Sequence, residues 1–293
     1  MSILDGMESL GLGHLKDADI YAQDNAAVET PKKAAEKAKP AQQESKPEET
    51  EESFLYLKDY ECPVCGDKFK ATVVKTGKAR LLKQDKDLRP IYKGVDSHKY
   101  DVIHCNKCGY AVISKYYGPL AKPHKELLKQ NIASKYKPME PVGLAYHYEE
   151  AFMKYKLALV NAVCRQAKDS EKAYICLKTA WMLRGMQEHH EEVFDVETYS
   201  LDKLKDLEDE YLKEAFDGFI KARQSEAPPI AGMNEITLDY LLAVLSLRFD
   251  DFEDAVKLLQ GIISSSQAGN AQKDKARELV LELKEKIKQS KNK

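Results

Sequence analysis

The apolar positions of the chain follow two different periods. Between residues 54 and 120 they form short runs such as "FKATVV", "KYDVIHC" and "YAVISKYY", which alternate or are rich in β-branched residues. Such runs are typical of strands. From about residue 123 onward the apolar residues recur every three or four positions, which predicts helices. The pattern therefore predicts an α+β chain, with a small β lobe followed by an all-α region.

The helical region divides at residues that break or cap helices. Pro228, Pro229 and Gly232 separate two helices, and Asp169 or Ser170 is placed to cap another. Because the connections are short, neighbouring helices should pack antiparallel as hairpins. The predicted helices lie near residues 124–135, 143–166, 170–188, 199–225, 234–249, 251–266 and 270–289.

Small residues recur along this array. Ala173, Ala215 and Ala255 lie about 40 residues apart, and each is followed four and seven positions later by an apolar or small residue. Those residues are Leu177 and Ala180, Phe219 and Ala222, and Leu259 and Ile262. Small side chains at this spacing let paired helices approach closely, as in tetratricopeptide repeats. The middle segment suits one long helix, so we expect a tetratricopeptide-like array without regular repeats.

The first 53 residues follow neither of these two periods over most of their length. Ile3, Met7 and Leu10 fall on one face of a possible short helix, with Leu4 and Leu15 at its edge. This motif, residues 1–23, is either a frayed end or a docking motif for a partner or for the chain's own helical domain. Residues 24–53 lack large apolar side chains over most of their length and contain three prolines, which predicts a disordered tether.

The composition indicates the cellular compartment of the protein more clearly than the kind of partner it binds. The formal net charge is only -2 with 32% charged residues, although residues 54–120 are mainly basic and residues 186–217 strongly acidic. We find no secretory signal pattern and no apolar stretch of membrane-spanning length, so we expect a cytoplasmic protein. Thiols are kept reduced there, which favours metal or redox roles for paired cysteines over disulfides.

Two CxxC pairs carry the clearest chemistry of the sequence. Cys62 and Cys65 lie in "CPVCG", and Cys105 and Cys108 lie in "CNKCGY". Each pair is followed by a glycine that can take the positive φ closing a metal-binding turn. Two such turns at the ends of antiparallel strands predict a zinc ribbon, with Zn²⁺ held by the four thiolates. Iron in a rubredoxin-like site uses the same ligands and stays open.

A complete set of four cysteine ligands leaves no coordination position for substrate, so the predicted ion is structural and the chain is not expected to be an enzyme. We do not expect His98 or His104 to be metal ligands, because the four cysteines already complete the coordination sphere, and we expect Cys164 and Cys176 to be core thiols. The "EHHEE" segment at residues 188–192 is interpreted as a solvated helix end. No phosphate-binding loop, dinucleotide fingerprint or nucleophile elbow occurs.

The loop between the cysteine pairs has two interpretations. It is a surface excursion in which Arg80 and Arg89 pair with Asp85 and Asp87, or it is a basic stretch that follows a phosphate backbone. In the second interpretation, Tyr92 and six basic residues of the loop would contact the nucleic acid. The six basic residues are Lys78, Arg80, Lys83, Lys86, Arg89 and Lys93.

Three segments carry a resemblance to a known family. The segments "CPVCGDKFKATVVKTGKARLLKQDKDLRPIY", "YDVIHCNKCGYAVISKYY" and "EKAYICLKTAWMLRG" resemble the bacterial Domain of Unknown Function 2225 family over about residues 54–225. The resemblance implies a cysteine-pair ribbon joined to a repeat-like helical region, without a known reaction or partner. It also implies an inter-knuckle signature of unknown role, matched here by Arg80, Asp87, Leu88, Pro90 and Tyr92.

Together these observations predict four segments: a motif at residues 1–23, a linker at 24–53, a zinc-ribbon-like domain at 54–122 and a tetratricopeptide-like domain at 123–293. The function they favour is a cytosolic scaffold whose helices bind a protein or peptide. One alternative is a ribbon that contacts nucleic acid while the helices recruit a partner. A rubredoxin-like electron carrier is a further alternative.

Overall fold

A computed structural model describes residues 3–22, 50–140 and 143–291. The chain divides into two compact units. The strand unit contains the described residues of 4–82 and 92–166, and the helical unit contains residues 83–91 and 167–291 together with Ile3. The predicted tether falls almost entirely on residues outside the described ranges. Its last residues, from Glu51, form a 3₁₀ turn that ends at the buried Phe54.

Two antiparallel hairpins form the frame of the strand unit. The first pairs β1 (Leu55–Glu61) with β2 (Lys68–Val74). The second pairs β5 (Val102–Cys105) with β6 (Tyr110–Ile113), and every residue of these two strands is buried. Between them, β3 (Leu81–Gln84) pairs with β4 (Pro90–Tyr92). The small strand region predicted from the sequence is confirmed.

Two helices follow the strands within the same unit. α1 (Lys122–Leu128) runs into a π turn at Lys129–Ala133, and α2 (Tyr148–Cys164) packs against β6 and β5. α2 is buried around most of its circumference, as expected for a helix covered on several sides. The boundary predicted between residues 122 and 123 therefore differs from the observed division, because the apolar surface of α2 covers the strands.

The helical unit contains five helices in the described part of the chain. They are α3 (Asp169–Glu188), α4 (Leu201–Ser225), α5 (Glu235–Arg248), α6 (Phe252–Ser264) and α7 (Asn270–Lys291). α3 packs with α4, α5 with α6, and α6 with α7. The alanines predicted at the helix contacts, Ala173, Ala215 and Ala255, are fully buried, and so are the six residues that follow them at the stated spacing.

The helices α3 to α7 start within two residues of the predicted positions, but the cap predicted for α3 is not observed. The Asn234 side chain accepts a hydrogen bond from the Thr237 amide at 2.9 Å, which caps α5. α3 has no such cap from its own N-cap residue. Instead, Glu226 beyond the end of α4 accepts hydrogen bonds from the Ser170 amide at 2.9 Å and from its hydroxyl at 2.6 Å. The predicted local cap was wrong because a carboxylate from a neighbouring helix takes its place.

The tip of the β3–β4 hairpin, residues 83–91, belongs to the helical unit. Its Asp87 is buried and accepts hydrogen bonds from Trp181 Nε1 at 3.1 Å and from Arg184 at 2.7 Å. Arg184 is also bonded to Glu208 of α4 at 2.8 Å. Leu88 packs against the apolar core of α5, α6 and α7. The tip is thus an integral part of this unit and not a surface excursion.

Arg89 has a different role from the one that a phosphate-binding loop requires. Its side chain is 4% exposed, and it forms two hydrogen bonds with the Glu188 carboxylate, at 3.0 and 2.5 Å. Asp85 lies 3.7 Å from the same guanidinium. The predicted pairing of Arg89 with Asp85 is present, and the residue is not available to a phosphate backbone.

We expect the Asp87→Ala variant to lower the free energy of unfolding by about 2–4 kcal/mol, because it leaves the buried Trp181 and Arg184 donors without their acceptor. Lys86→Ala is the matched control, since Lys86 is 68% exposed in its ion pair with Glu282. It should cost less than about 1 kcal/mol. Urea unfolding followed by far-ultraviolet circular dichroism measures both. Equal losses in the two variants would contradict a structural role for Asp87.

Candidate metal centre

The first cysteine pair lies in the turn between β1 and β2. Cys62 follows the last residue of β1, and its amide donates to the Asp67 carbonyl at 2.8 Å. The Gly66 amide donates to the Cys62 carbonyl at 2.9 Å. Gly66 takes a φ of +74°, which L side chains rarely adopt. The glycine after the second cysteine therefore closes the turn, as the sequence predicts.

The second pair repeats this geometry between β5 and β6. Cys105 is the last residue of β5, and the Gly109 amide donates to its carbonyl at 2.9 Å. Gly109 has a φ of +72°. Its own carbonyl accepts a hydrogen bond from Asn161 Nδ2 of α2 at 2.9 Å. The first turn is flanked by hydrogen bonds from Tyr117 Oη to the Glu61 carbonyl at 2.7 Å and from Lys107 Nζ to the Asp67 carboxylate at 2.8 Å, whereas the second turn is held by a helix.

The two turns bring the four sulfur atoms together. Cys62 Sγ lies 3.5 Å from Cys108 Sγ, and Cys65 Sγ lies 3.8 Å from Cys105 Sγ. All four ligand atoms lie within 4.8 Å of one another, and none of the cysteines forms a disulfide. With metal–sulfur bonds of about 2.3 Å, tetrahedral thiolates around zinc lie about 3.8 Å apart. The cysteines could therefore hold one metal ion, and their predicted convergence is confirmed.

Burial differs among the four ligands. Cys62, Cys105 and Cys108 are at most 5% exposed, whereas Cys65 is exposed to solvent. Hydrogen bonds from Cys108 and Cys62 hold the pKa of Cys105 well below that of a free thiol. The hydrogen bond with Cys105 in turn raises the pKa of Cys62 and of Cys108. One thiolate stabilised by neighbouring thiols is a suitable first ligand for a cation that displaces the remaining protons.

A buried polar group supports the second turn from behind. His104 Nε2 lies 2.9 Å from Tyr136 Oη, which donates to Asn106 Oδ1 at 2.9 Å. Asn106 also joins Met139 through two hydrogen bonds of 2.8 Å. Burial lowers the pKa of His104 to about 3, so its imidazole is neutral at physiological pH. Tyr136, Asn106 and Asn161 were not predicted, because single polar residues outside a motif carry no spacing signal.

The remaining sequence candidates do not belong to the cysteine cluster. His98 and His104 are not among the ligand atoms that converge in the described residues. Cys176 is fully buried and Cys164 half-buried, and burial raises the pKa of Cys164 to about 11. His189, Glu191 and Glu192 lie close together, but all three are exposed, as expected of a solvated helix end.

The signature residues are divided between the two units. Asp87, Leu88 and Pro90 belong to the helical unit, whereas Arg80 and Tyr92 belong to the strand unit. Tyr92 packs against the apolar cluster around Phe54 and Tyr100. Arg80 is exposed, and its carbonyl accepts from the Lys93 amide at 2.9 Å. The contacts of Asp87, Leu88 and Tyr92 are those of structural residues.

A family model described as "Uncharacterized protein conserved in bacteria (DUF2225)" matches residues 55–286. The chain belongs to this family. The match begins at the first residue of β1 and extends into α7, so it includes both cysteine pairs and the hairpin tip. It does not include the N-terminal residues. No curated protein and no solved structure matches the chain.

None of the helices in the described ranges has both the length and the apolar character needed to cross a membrane.

We expect the purified chain to contain one tightly bound metal ion, and the Cys105→Ser variant to contain much less, because it loses a central ligand. Elemental analysis by mass spectrometry measures the content, and an absorption spectrum distinguishes coloured ferric tetrathiolate from colourless zinc. Cys164→Ser is the matched control, since Cys164 lies outside the cluster. Equal metal content in both variants would contradict the assignment.

The two turn glycines offer a second comparison. A Cβ atom at Gly109 would lie 2.5 Å from the Tyr136 ring, whereas one at Gly66 would meet nothing within 4 Å. Both substitutions place alanine at positive φ, which costs about 1–2 kcal/mol. We expect Gly109→Ala to destabilise the chain by at least about 1 kcal/mol more than Gly66→Ala, because overpacking adds to strain. Denaturant unfolding tests this, and an equal or reversed order would contradict it.

Proposed function

We propose that this chain is a metal-dependent adaptor, in which a structural ion folds a zinc ribbon and a tetratricopeptide-like helical unit binds a protein or peptide. The single observation that carries the proposal is the convergence of four cysteine sulfurs within 4.8 Å. Four thiolates complete the tetrahedral coordination preferred by zinc, so the ion has no position for a substrate or a reactive water. On this proposal the ion contributes folding energy and the chain is not an enzyme.

The two hairpins that carry the cysteines are short, with seven-residue strands in the first and four-residue strands in the second. A single two-stranded hairpin is only marginally stable in water. An ion that joins the ends of the two hairpins would therefore add stability that neither hairpin has alone. When bound, a structural zinc ion supplies about 10–16 kcal/mol of apparent binding energy. The chain supplies the two closed turns, and His104, Tyr136 and Asn161 support the second of them.

The helical unit supplies the proposed binding surface. A groove of about 760 Å³ lies between the hairpin tip and helices α4, α5 and α7. Its apolar residues include Leu212, Val244 and Leu279. Its charged residues are of both signs and include Lys205, Asp209, Arg248, Glu282 and Lys286. These features favour a peptide segment that carries an apolar side chain between charged ones.

Two alternatives have less support. Nucleic acid would have to bind the basic residues of the loop between the cysteine pairs. Two of them, Arg89 and Lys86, already form ion pairs with Glu188 and Glu282. An electron carrier would need iron at the four cysteines, which the absorption spectrum detects. Binding to nucleic acid through lysines would weaken steeply with salt, whereas binding of a peptide in the groove, whose charged residues are of both signs, would weaken less.

We expect a photo-crosslinking amino acid at position 205 to capture a protein partner in cell extract, and the same amino acid at position 203 to capture much less. Both lysines are exposed on α4, but only Lys205 lines the groove. Mass spectrometry of the crosslinked products identifies the partner and the site. Capture that is equal at both positions, or that disappears after nuclease treatment, would contradict peptide binding in this groove.

A further inference from the structure

The N-terminal residues form a compact segment on the strand unit. Residues 4–22, here called the N-terminal segment, lie outside the range matched by the family model. They form two 3₁₀ turns, at Met7–Leu10 and Gly13–Leu15, instead of the predicted amphipathic helix. Gly6 and Gly11 flank the first turn with φ values of +91° and +77°, which ends helical geometry at both sides.

The apolar side chains of this segment are almost completely covered. Met7 and Leu12 are fully buried and Leu4 is 1% exposed. Leu10, Ile20 and Tyr21 are at most 7% exposed. A segment of this length cannot bury so many apolar side chains against itself. Other residues therefore cover them, and the contacts of the first turn with α2, together with the closeness of Gly6 to Met153 and Lys156, place part of this cover on the strand unit.

Two hydrogen bonds and one close backbone approach fix the position of the segment. The Lys137 amide donates to the Leu10 carbonyl at 2.9 Å, and Lys156 Nζ of α2 donates to the Asp5 carbonyl. A Cβ atom added at Gly11 would lie 2.1 Å from the Lys135 carbonyl oxygen. Only glycine allows this approach at position 11. The contact is therefore specific to the sequence of the segment.

The segment also holds part of its own shape. Lys16 pairs with Asp5 at 3.1 Å, and the Gly6 amide donates to the Glu8 carboxylate at 3.0 Å. Its two turns are closed by internal hydrogen bonds, such as that from the Gly11 amide to the Glu8 carbonyl at 2.9 Å. These are features of a peptide ligand that is partly ordered before it binds.

The covalent connection does not determine which copy the segment binds. Ala22 and Thr50 bound the described parts of the strand unit, and residues 23–49 connect them. A connection of this length can span up to about 90 Å when extended. Every copy of the chain carries the same segment and the same receiving surface. Such an arrangement permits exchange of an identical element between protomers.

We propose that the surface of the strand unit formed around Lys135, Lys137 and Lys156 is a peptide-docking site, and that the partner it accepts in trans is the N-terminal segment of a second copy. The site binds its own segment at low protein concentration. At high local concentration the segments exchange and join two chains. This inference does not depend on the metal or on the groove of the helical unit.

The first experiment separates the segment from its covalent connection. A protease recognition sequence is introduced between residues 30 and 40 of the full chain, and the chain is cut in native buffer. We expect the N-terminal fragment to co-elute with the remainder in size-exclusion chromatography. A fluorescent synthetic peptide of residues 1–22 should displace it. Loss of the folded circular dichroism spectrum on cutting would overturn the proposal, since the segment would then be an inseparable part of the core.

Peptide variants test the specificity of the surface. Gly11→Ala and Met7→Asp peptides should bind at least ten-fold more weakly than the unchanged peptide. The alanine Cβ atom would clash with the Lys135 carbonyl, and the aspartate would place a charge where Met7 is fully buried. His14→Ala is the matched control, since His14 is exposed, and it should bind with unchanged affinity. Fluorescence anisotropy measures all of them. Failure of the unchanged peptide to bind, or equal binding of all variants, would overturn the proposal.

The last experiment tests exchange between intact chains. Uncut chains with a photo-crosslinking amino acid at exposed position 8 are mixed with uncut chains carrying an affinity tag, incubated at high concentration, diluted and illuminated. We expect crosslinks between tagged and untagged chains, and their loss when the crosslinking chain also carries Gly11→Ala. Exclusively intramolecular crosslinks would overturn the proposal. Metal content, measured in parallel, tests the adaptor function separately.

Discussion

Four sulfur atoms within 4.8 Å of one another require that two hairpin ends meet at a fixed distance. Each turn is closed by the same hydrogen bond, from a glycine amide to the carbonyl of the first cysteine, at 2.9 Å in both cases. The two turns differ in what lies behind them. Gly109 is held by Asn161 and covered by the Tyr136 ring, whereas a side chain at Gly66 would meet nothing. The cysteine centre thus connects a hairpin end that is covered by a helix and a ring to one that is open at its glycine, and its position depends on α2 as well as on the strands.

Much of this architecture could be predicted from local patterns. The observed bounds of α3 to α7 lie within a few residues of the predicted ones, because prolines, glycines and capping residues interrupt the helical period. The convergence of the four cysteines followed from the spacing of each pair and the glycine after it. Both predictions rest on interactions between residues close in sequence, which a single sequence can reveal.

The predictions that differed from the structure concern interactions between distant residues. The period of α2 identifies it as a helix, but its partner could equally be a helix or a sheet, so its place in the strand unit was not evident. Asp87 and Arg89 were assigned either to a surface excursion or to a stretch that follows a phosphate backbone. Their partners, Arg184 and Glu188, lie about 100 positions away. The cap of α3 by Glu226 has the same explanation.

The hairpin tip has a practical consequence through its contact with Trp181. The indole Nε1 donates to Asp87 at 3.1 Å, and the ring is nearly completely buried. Trp181 is also the only tryptophan of the chain. Its emission is therefore a natural optical probe confined to the helical unit, and departure of the tip would place the indole in contact with water. Conformational changes in that unit can therefore be followed by the wavelength of tryptophan fluorescence, without attaching a dye.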